Sequence, residues 1–210
     1  MKTRCVIVAG GNCLPEHFNN VDETCFVIAA DSGLSHCNSC GVTPDLIVGD
    51  FDSFEGTIPS EIEAVRLPSH KDDTDLMYAA RCGVERNFKE FIVLGGYGSR
   101  PDQNMAMYQT LCWIVDRIDG AKILAVCDGF EVYVIKNGSM TFKKSPDRYL
   151  SVFAIDGDAI GADIIGAEYP LKDAKITSNF PVGVSNVAEK DTTVSVKSGK
   201  LLIMLVNKNI

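Results

Sequence analysis

Hydrophobic positions along the first 126 residues come in short continuous runs, and between them apolar residues recur at helical spacing. The runs are Cys5 to Ala9, Phe26 to Ala30, Leu46 to Val48, Ala64 to Leu67, Phe91 to Leu94 and Lys122 to Val126. Strands buried on both faces read as unbroken apolar runs, so these predict a parallel sheet covered by helices. Helical periodicity appears at Leu76, Ala79, Ala80, Gly83 and Val84, and again at Met105, Tyr108, Cys112 and Val115. Trp113 falls on the second of these patterns and reads as core, and Asp102 reads as the N-cap of that helix.

After Cys127-Asp128-Gly129 the pattern changes to strict alternation. Glu131 to Ile135 alternates, Lys136-Asn137-Gly138-Ser139 signals a hairpin, and β runs follow at Leu150 to Ile155, Asp191 to Val196 and Leu201 to Val206. The expectation is two domains: residues 1–129 as a mostly parallel α/β domain, and residues 130–210 as an all-β domain.

Strand ends carry the candidate chemistry. Most of the early runs close in glycine or aspartate: Gly10-Gly11-Asn12, Asp31-Ser32-Gly33, Gly49-Asp50-Phe51-Asp52 and Gly95-Gly96. In an open parallel sheet the ligand crevice lies beyond the carboxyl ends of the strands, so these turns share one rim. Asp50 and Asp52 stand two residues apart and point the same way in extended backbone. Two like charges aimed at one point repel unless a cation sits between them, which reads as a divalent-metal site. The bland alternative is that aspartate is simply common in turns.

Two more polar clusters precede helical patterns. In Lys71-Asp72-Asp73-Thr74-Asp75, one or two side chains cap the following helix. A further carboxylate exceeds what capping requires, which makes Asp75 a candidate metal or phosphate-site ligand. In the stretch from Gly95 to Gln103, Gly95, Gly96 and Gly98 give a loop whose backbone can approach phosphates, and Arg100 adds a guanidinium fork for them. Neither a P-loop lysine motif nor a dinucleotide fingerprint is present.

Composition narrows the classes. The chain has 210 residues, 46% hydrophobic and 23% charged, with a formal net charge of -8. Such a charge argues against a nucleic-acid partner but not against a nucleotide whose charge a metal masks. No apolar segment is long enough for a signal peptide or a membrane span, so cytoplasm is the expected location. Several of the eight cysteines sit inside apolar runs and read as reduced. Cys37-Asn38-Ser39-Cys40 is a single metal-like pair with no second pair to complete it. His17, His36 and His70 are scattered, and no serine stands in a nucleophile elbow.

Pro44 to Ser53, reading Pro-Asp-Leu-Ile-Val-Gly-Asp-Phe-Asp-Ser, closely resembles the core motif of thiamin pyrophosphokinases. Supporting matches are Ala30-Asp31-Ser32-Gly33, where the family usually has Asp-Gly-Gly; Lys71 to Asp75, similar to its Asp-x-Thr-Asp element; and Gly95-Gly96 through Arg100-x-Asp102-Gln103. Many bacterial members carry His where this chain has Gln103. Glu168-Tyr169-Pro170-Leu171 and Gly183-Val184-Ser185-Asn186 resemble the family's thiamin-side segments.

The resemblance implies a doubly wound α/β nucleotide domain, a C-terminal β-sandwich domain, and a homodimer with active sites between subunits. It implies Mg²⁺-dependent transfer of a diphosphate from ATP to the thiamin hydroxyl. Asp50, Asp52 and Asp75 would hold the metal, with Asp31, Ser32, Gly33, Lys71, Asp72, Thr74, Gly95, Gly96, Gly98 and Arg100 around ATP. Arg100 and Asp102 would join the three aspartates in catalysis, and Gln103, Tyr169, Ser185 and Asn186 would meet thiamin. The alternatives are a diphosphokinase acting on another alcohol, such as a hydroxymethylpterin, and a non-catalytic nucleotide sensor.

Overall fold

A computed structural model of the chain describes residues 1–50, 61–68 and 72–209. Two compact units make it up: residues 1–118 with 125–128, and residues 119–124 with 129–210.

The first unit is built on five parallel strands: β1 (Arg4–Val8), β2 (Cys25–Ala30), β3 (Leu46–Gly49), β4 (Glu63–Arg66) and β5 (Glu90–Leu94). Their order is β5-β1-β2-β3-β4. A 3-10 turn (Pro15–Asn20) and three helices, α1 (Gly33–Ser39), α2 (Asp75–Glu85) and α3 (Pro101–Arg117), complete it. β6 (Lys122–Cys127) carries the chain from one unit to the other.

Alternation along each strand sends side chains to both faces, and each face meets a different helix. Val6, Val8, Val27, Ala29, Ile47 and Leu94 gather around Leu34 and Cys37 of α1. Cys5 and Phe91, of opposite parity, pack against Gly83 of α2. The sheet is therefore doubly wound, as its apolar runs predict. Right-handed crossovers require it: the chain steps from β1 to β4 in one direction, then returns past β1 to place β5 on its other side.

α2 begins where Thr74 Oγ1 accepts the Met77 amide hydrogen at 3.1 Å. α3 begins two residues earlier than its sequence suggests. Pro101 takes the first helical position with Arg100 as N-cap, so Asp102 lies inside the first turn. Proline's fixed φ and missing N–H suit that position. The buried stripe of α3 includes Met107, Leu111 and Ile114, while Met105 is 57% exposed. Trp113 is half-buried under the Arg117 guanidinium, 4.0 Å from its ring centroid, instead of entering the core. Among the described residues, no helix is long and apolar enough to cross a membrane.

The second unit contains β7 (Phe130–Lys136), β8 (Ser139–Phe142), β9 (Ser145–Ala154), β10 (Ala159–Ile165), β11 (Leu171–Ile176), β12 (Gly183–Ala188), β13 (Thr192–Ser198) and β14 (Lys200–Asn207). They form two antiparallel arrays, β12-β9-β14-β7 and β11-β10-β13-β8. Leu150, Val152, Leu201 and Ile203 of the first array close on Phe142, Ile164, Val194 and Val196 of the second, making a sandwich core. The turn at Asn137, at φ 47°, and Gly138 joins β7 to β8, but it is not the expected hairpin: β7 pairs with β14 and β8 with β13, so the chain crosses there from one array to the other.

Three of these strands escape the sequence pattern. β11 (Leu-Lys-Asp-Ala-Lys-Ile) is a largely exposed edge strand rich in charge. β12 (Gly-Val-Ser-Asn-Val-Ala) has the composition of a turn, and β10 is broken by Gly161 at φ 65°.

Candidate functional site

Beyond the last residue of β1 and β5, hydrogen bonding continues into the two glycine loops. Ala9 donates its amide hydrogen to the Leu94 carbonyl at 2.8 Å, Gly11 to Gly95 at 2.7 Å and Asn12 to Tyr97 at 2.7 Å. The loops lie against each other where the strand order reverses, which is where an open α/β sheet offers its crevice. Side chains are excluded from this seam. A Cβ on Gly11 would fall 2.5 Å from the Tyr97 oxygen, and one on Gly95, at φ 63°, would fall 2.3 Å from the Ala9 oxygen.

Two side chains fix the loops from behind. His36 Nε2 lies 2.9 Å from the Gly11 carbonyl oxygen. Asn104 Oδ1 accepts the Gly98 amide hydrogen and its Nδ2 donates to the Gly98 carbonyl, each at 2.9 Å.

The loops, the ends of β2 and β3 and the start of α2 enclose a cavity of about 700 Å³. Of the residues singled out from sequence, Asp31, Ser32, Asp50, Thr74, Asp75, Gly95, Gly96, Gly98, Arg100 and Gln103 line it. Gly33 is buried at the start of α1 and does not line it, and neither do Asp72 and Asp102. Asp52 and Lys71 lie outside the described residues. Sequence reasoning placed the Gly10-Gly11-Asn12 turn on the rim without giving it a role and left Asp73, Ser99 and Asn104 out of the site, although all six line the cavity. Asp73 faces the cavity in place of Asp72, and Arg81, two helical turns on, holds it at 2.8 Å.

Four carboxylates, those of Asp31, Asp50, Asp73 and Asp75, thus share one cavity with a loop of backbone amides. Hard oxygen donors of this kind suit Mg²⁺, which takes one or two carboxylates together with phosphate oxygens and water. Among the described residues, no three His, Cys, Asp or Glu side chains form a metal-binding group by themselves.

Arg100 stands exposed at the cavity lip and forks onto Asp102, Nε to Oδ1 at 3.2 Å and Nη2 to Oδ2 at 2.5 Å. That hydrogen bonding holds the Asp102 carboxyl below the ordinary carboxylate range and makes it a poorer proton acceptor. Cys37 lies on the buried face of α1, where burial pushes its thiol up to about 12.

In the sandwich unit, Tyr169 is 63% exposed and Ser185 is exposed at φ 60°. Asn186, expected to meet a ligand, is instead buried, at 4% exposure. Its side chain bonds to the backbone of Tyr169 and Val187.

Two sequence-family models match the chain. "Thiamin pyrophosphokinase, catalytic domain" matches residues 18–124, and "Thiamin pyrophosphokinase, vitamin B1 binding domain" matches residues 139–203. A curated relative, thiamine pyrophosphokinase of Bacillus subtilis (strain 168), is 28% identical over 208 residues, covering 95% of this chain and 96% of the relative. A crystal structure of thiamine pyrophosphokinase from Bacillus subtilis superposes with a TM-score of 0.85 at 24% identity, covering 98% of this chain and 99% of that one. Thiamin pyrophosphokinase from Geobacillus thermodenitrificans gives 0.82 at 23% identity, covering 98% of each chain. The yeast enzyme gives 0.73 at 12% identity, covering 98% and 86%.

Proposed function

The chain belongs to the thiamin pyrophosphokinase family, and from that membership we propose that it transfers a diphosphate from ATP to the hydroxyl of thiamin, giving thiamin diphosphate and AMP. What carries this reading is the convergence of the glycine loops after β1 and β5 with Asp50, Asp75 and Arg100 on one cavity of about 700 Å³.

The triphosphate lies along the glycine loops, where backbone N–H groups donate to phosphate oxygens without side-chain interference. An acidic cavity repels a polyanion, so the carboxylates need a counter-ion. Asp50 and Asp75, with Asp52, are the residues that would hold Mg²⁺, which would neutralise the phosphate charge against the carboxylates.

Arg100 exchanges the Asp102 carboxylate for a phosphate oxygen, the same planar fork meeting a stronger charge. Ser32 and Thr74 border the nucleotide, and Gln103 faces the incoming alcohol. The hydroxyl attacks the β-phosphorus in line and AMP departs. Alignment supplies much of the rate. Asp102, lowered by Arg100, is not assigned as the base.

Thiamin is held on the sandwich unit, where the Tyr169 ring offers a cation-π face to the thiazolium, a contact of roughly 0.5 to 2 kcal/mol. The enzyme works as a cytoplasmic homodimer in this reading. Support comes from the exposed apolar residues Phe180, Val182 and Val184 running into β12, and from eight free thiols, which suit a reducing compartment.

The test is a coupled assay of AMP release by the purified chain with ATP and Mg²⁺, run with thiamin and separately with a hydroxymethylpterin. AMP in equimolar amount with thiamin diphosphate is the expected result. AMP formed only with the pterin, or ATP bound with no AMP formed, overturns the assignment.

A further inference from the structure

Two of the polar side chains buried in the sandwich unit, Asn186 and Ser151, bond to the backbone of exposed residues at and beside β12. Asn186 accepts the amide hydrogens of Tyr169 and Val187 on Oδ1, both at 2.9 Å, and donates from Nδ2 to the Tyr169 carbonyl at 2.6 Å. An asparagine amide has two donor hydrogens and one oxygen acceptor. With only 4% of Asn186 exposed, that capacity is committed inward and little of the side chain is open to a ligand. Glu168 adds a backbone bond, its amide hydrogen to the Val187 carbonyl at 2.9 Å, so residues 168 and 169 are tied to β12 at three points.

Ser151, on the adjoining strand β9, has the matching role. It is 6% exposed, and its Oγ accepts the amide hydrogen of Ser185 at 3.0 Å. Ser185 takes the left-handed conformation where the β12–β9 register shifts between Gly183 and Asn186. A non-glycine residue keeps such a conformation only where its surroundings impose it, and such residues gather at functional sites. Here the buried Ser151 hydroxyl bonds to the amide of the residue that leaves the regular pairing.

From this geometry we infer that Asn186 and Ser151 are positioning residues: Asn186 sets the Tyr169 ring and Ser151 sets the Ser185 hydroxyl, and neither touches thiamin. The Ser-Asn pair thus divides into an exposed contact and an internal clamp. Placing rigid backbone under the groups that meet a ligand lowers the ordering cost of binding. This rests on the proposed function, in which Tyr169 meets thiamin.

Steady-state kinetics of the full chain test it, with Tyr169→Ala, Asn186→Ala and the double variant compared. Tyr169→Ala and Asn186→Ala should each raise the thiamin KM about 5- to 10-fold, with kcat and the ATP KM within about twofold. The double variant should be no weaker than Tyr169→Ala alone, because the clamp then has no ring to orient. Multiplicative losses, or an Asn186→Ala variant with an unchanged thiamin KM, overturn the inference.

Should Asn186→Ala melt well below the parent, Ser151→Ala and Ser185→Ala give the same cycle with a change of one oxygen each. Non-additive rises in thiamin KM are expected there, and additive ones overturn the inference. If Tyr169→Ala itself leaves the thiamin KM unchanged, the vitamin-side reading fails first. If it raises KM and Asn186→Ala does not, only the clamp is refuted.

Discussion

Asn104 grips the Gly98 peptide at both ends, amide and carbonyl, each at 2.9 Å. It stands in the first turn of α3, so the helix itself sets where the glycine loop runs along the cavity. Asn104→Ala removes two neutral hydrogen bonds, together about 1 to 2 kcal/mol. The expected outcome is a rise of roughly 5- to 30-fold in the ATP KM, from a loop that must be ordered on binding. The thiamin KM should stay near its parent value. Asn104→Asp keeps the acceptor but sets a charged oxygen against the Gly98 carbonyl and adds a carboxylate to the cavity, so it should raise the ATP KM further than Asn104→Ala does.

Asp50 and Asp75 reach the same cavity from different elements, one after β3 and the other at the start of α2. Asp50→Asn and Asp75→Asn keep the shape and remove the charge. Each should lower kcat on the order of 10²-fold or more, with the melting temperature close to the parent. Each should also raise the Mg²⁺ concentration needed for half-maximal AMP release. An unchanged Mg²⁺ requirement in either variant removes that residue from the metal's surroundings.

How much of this was readable in the sequence depends on how deeply each element is buried. Val6-Ile7-Val8 and Leu46-Ile47-Val48 are enclosed on both faces, so their runs announce a parallel sheet and its ligand rim. β11 and β12 are edges of the sandwich, and their Lys, Asp, Gly, Ser and Asn residues carry no apolar alternation. In α3, Met105 and Met107 differ only in helical phase, and neighbouring packing chose Met107.

The site divides along similar lines. Asp50 and Asp75 could be foreseen from strand-end and helix-start positions. The choice of Asp73 over Asp72 could not, because it follows from the Thr74 cap and from Arg81 in the next turns of α2. The clamps made by Asn104 and Asn186 were hidden for another reason. Each depends on a loop conformation that no periodicity encodes.

Asp22 gives the fold an acid-side dependence. Its Oδ1 accepts the Thr24 amide hydrogen at 2.9 Å and the Thr24 hydroxyl at 2.6 Å, and its Oδ2 accepts from Arg4 at 2.7 Å. The bonds from Thr24, then that from Arg4, draw its pKa down to about 2 from an ordinary 3.8. A carboxyl lowered in the folded state contributes its stability above the unfolded value and loses it as pH falls through the folded one. The advantage of the parent over Asp22→Asn should therefore be complete near neutral pH and shrink between about pH 4 and pH 2. Thermal melts of both proteins at descending pH measure the closing gap, and a gap that stays constant refutes the assignment.

Gly83 lies in the interior of α2, where alanine would ordinarily favour the helix by about 1 kcal/mol. Packing reverses the sign here. A Cβ at this position would fall 2.6 Å from Phe91 Cε1 and 2.8 Å from Cys5 Sγ, both in the sheet beneath the helix. Overpacking of this kind costs about 1 to 3 kcal/mol, so Gly83→Ala should lower the urea midpoint with an unchanged slope. Phe91→Leu alone should also destabilise, by leaving a void. The two changes together should be less harmful than their sum, since the smaller side chain makes room for the new methyl. Because α2 carries Thr74 and Asp75 to the cavity at its N-terminal end, lifting the helix should reduce kcat in Gly83→Ala even at temperatures where the protein is fully folded. Recovery of kcat in the double variant, alongside its stability, would trace both losses to the one contact between helix and sheet.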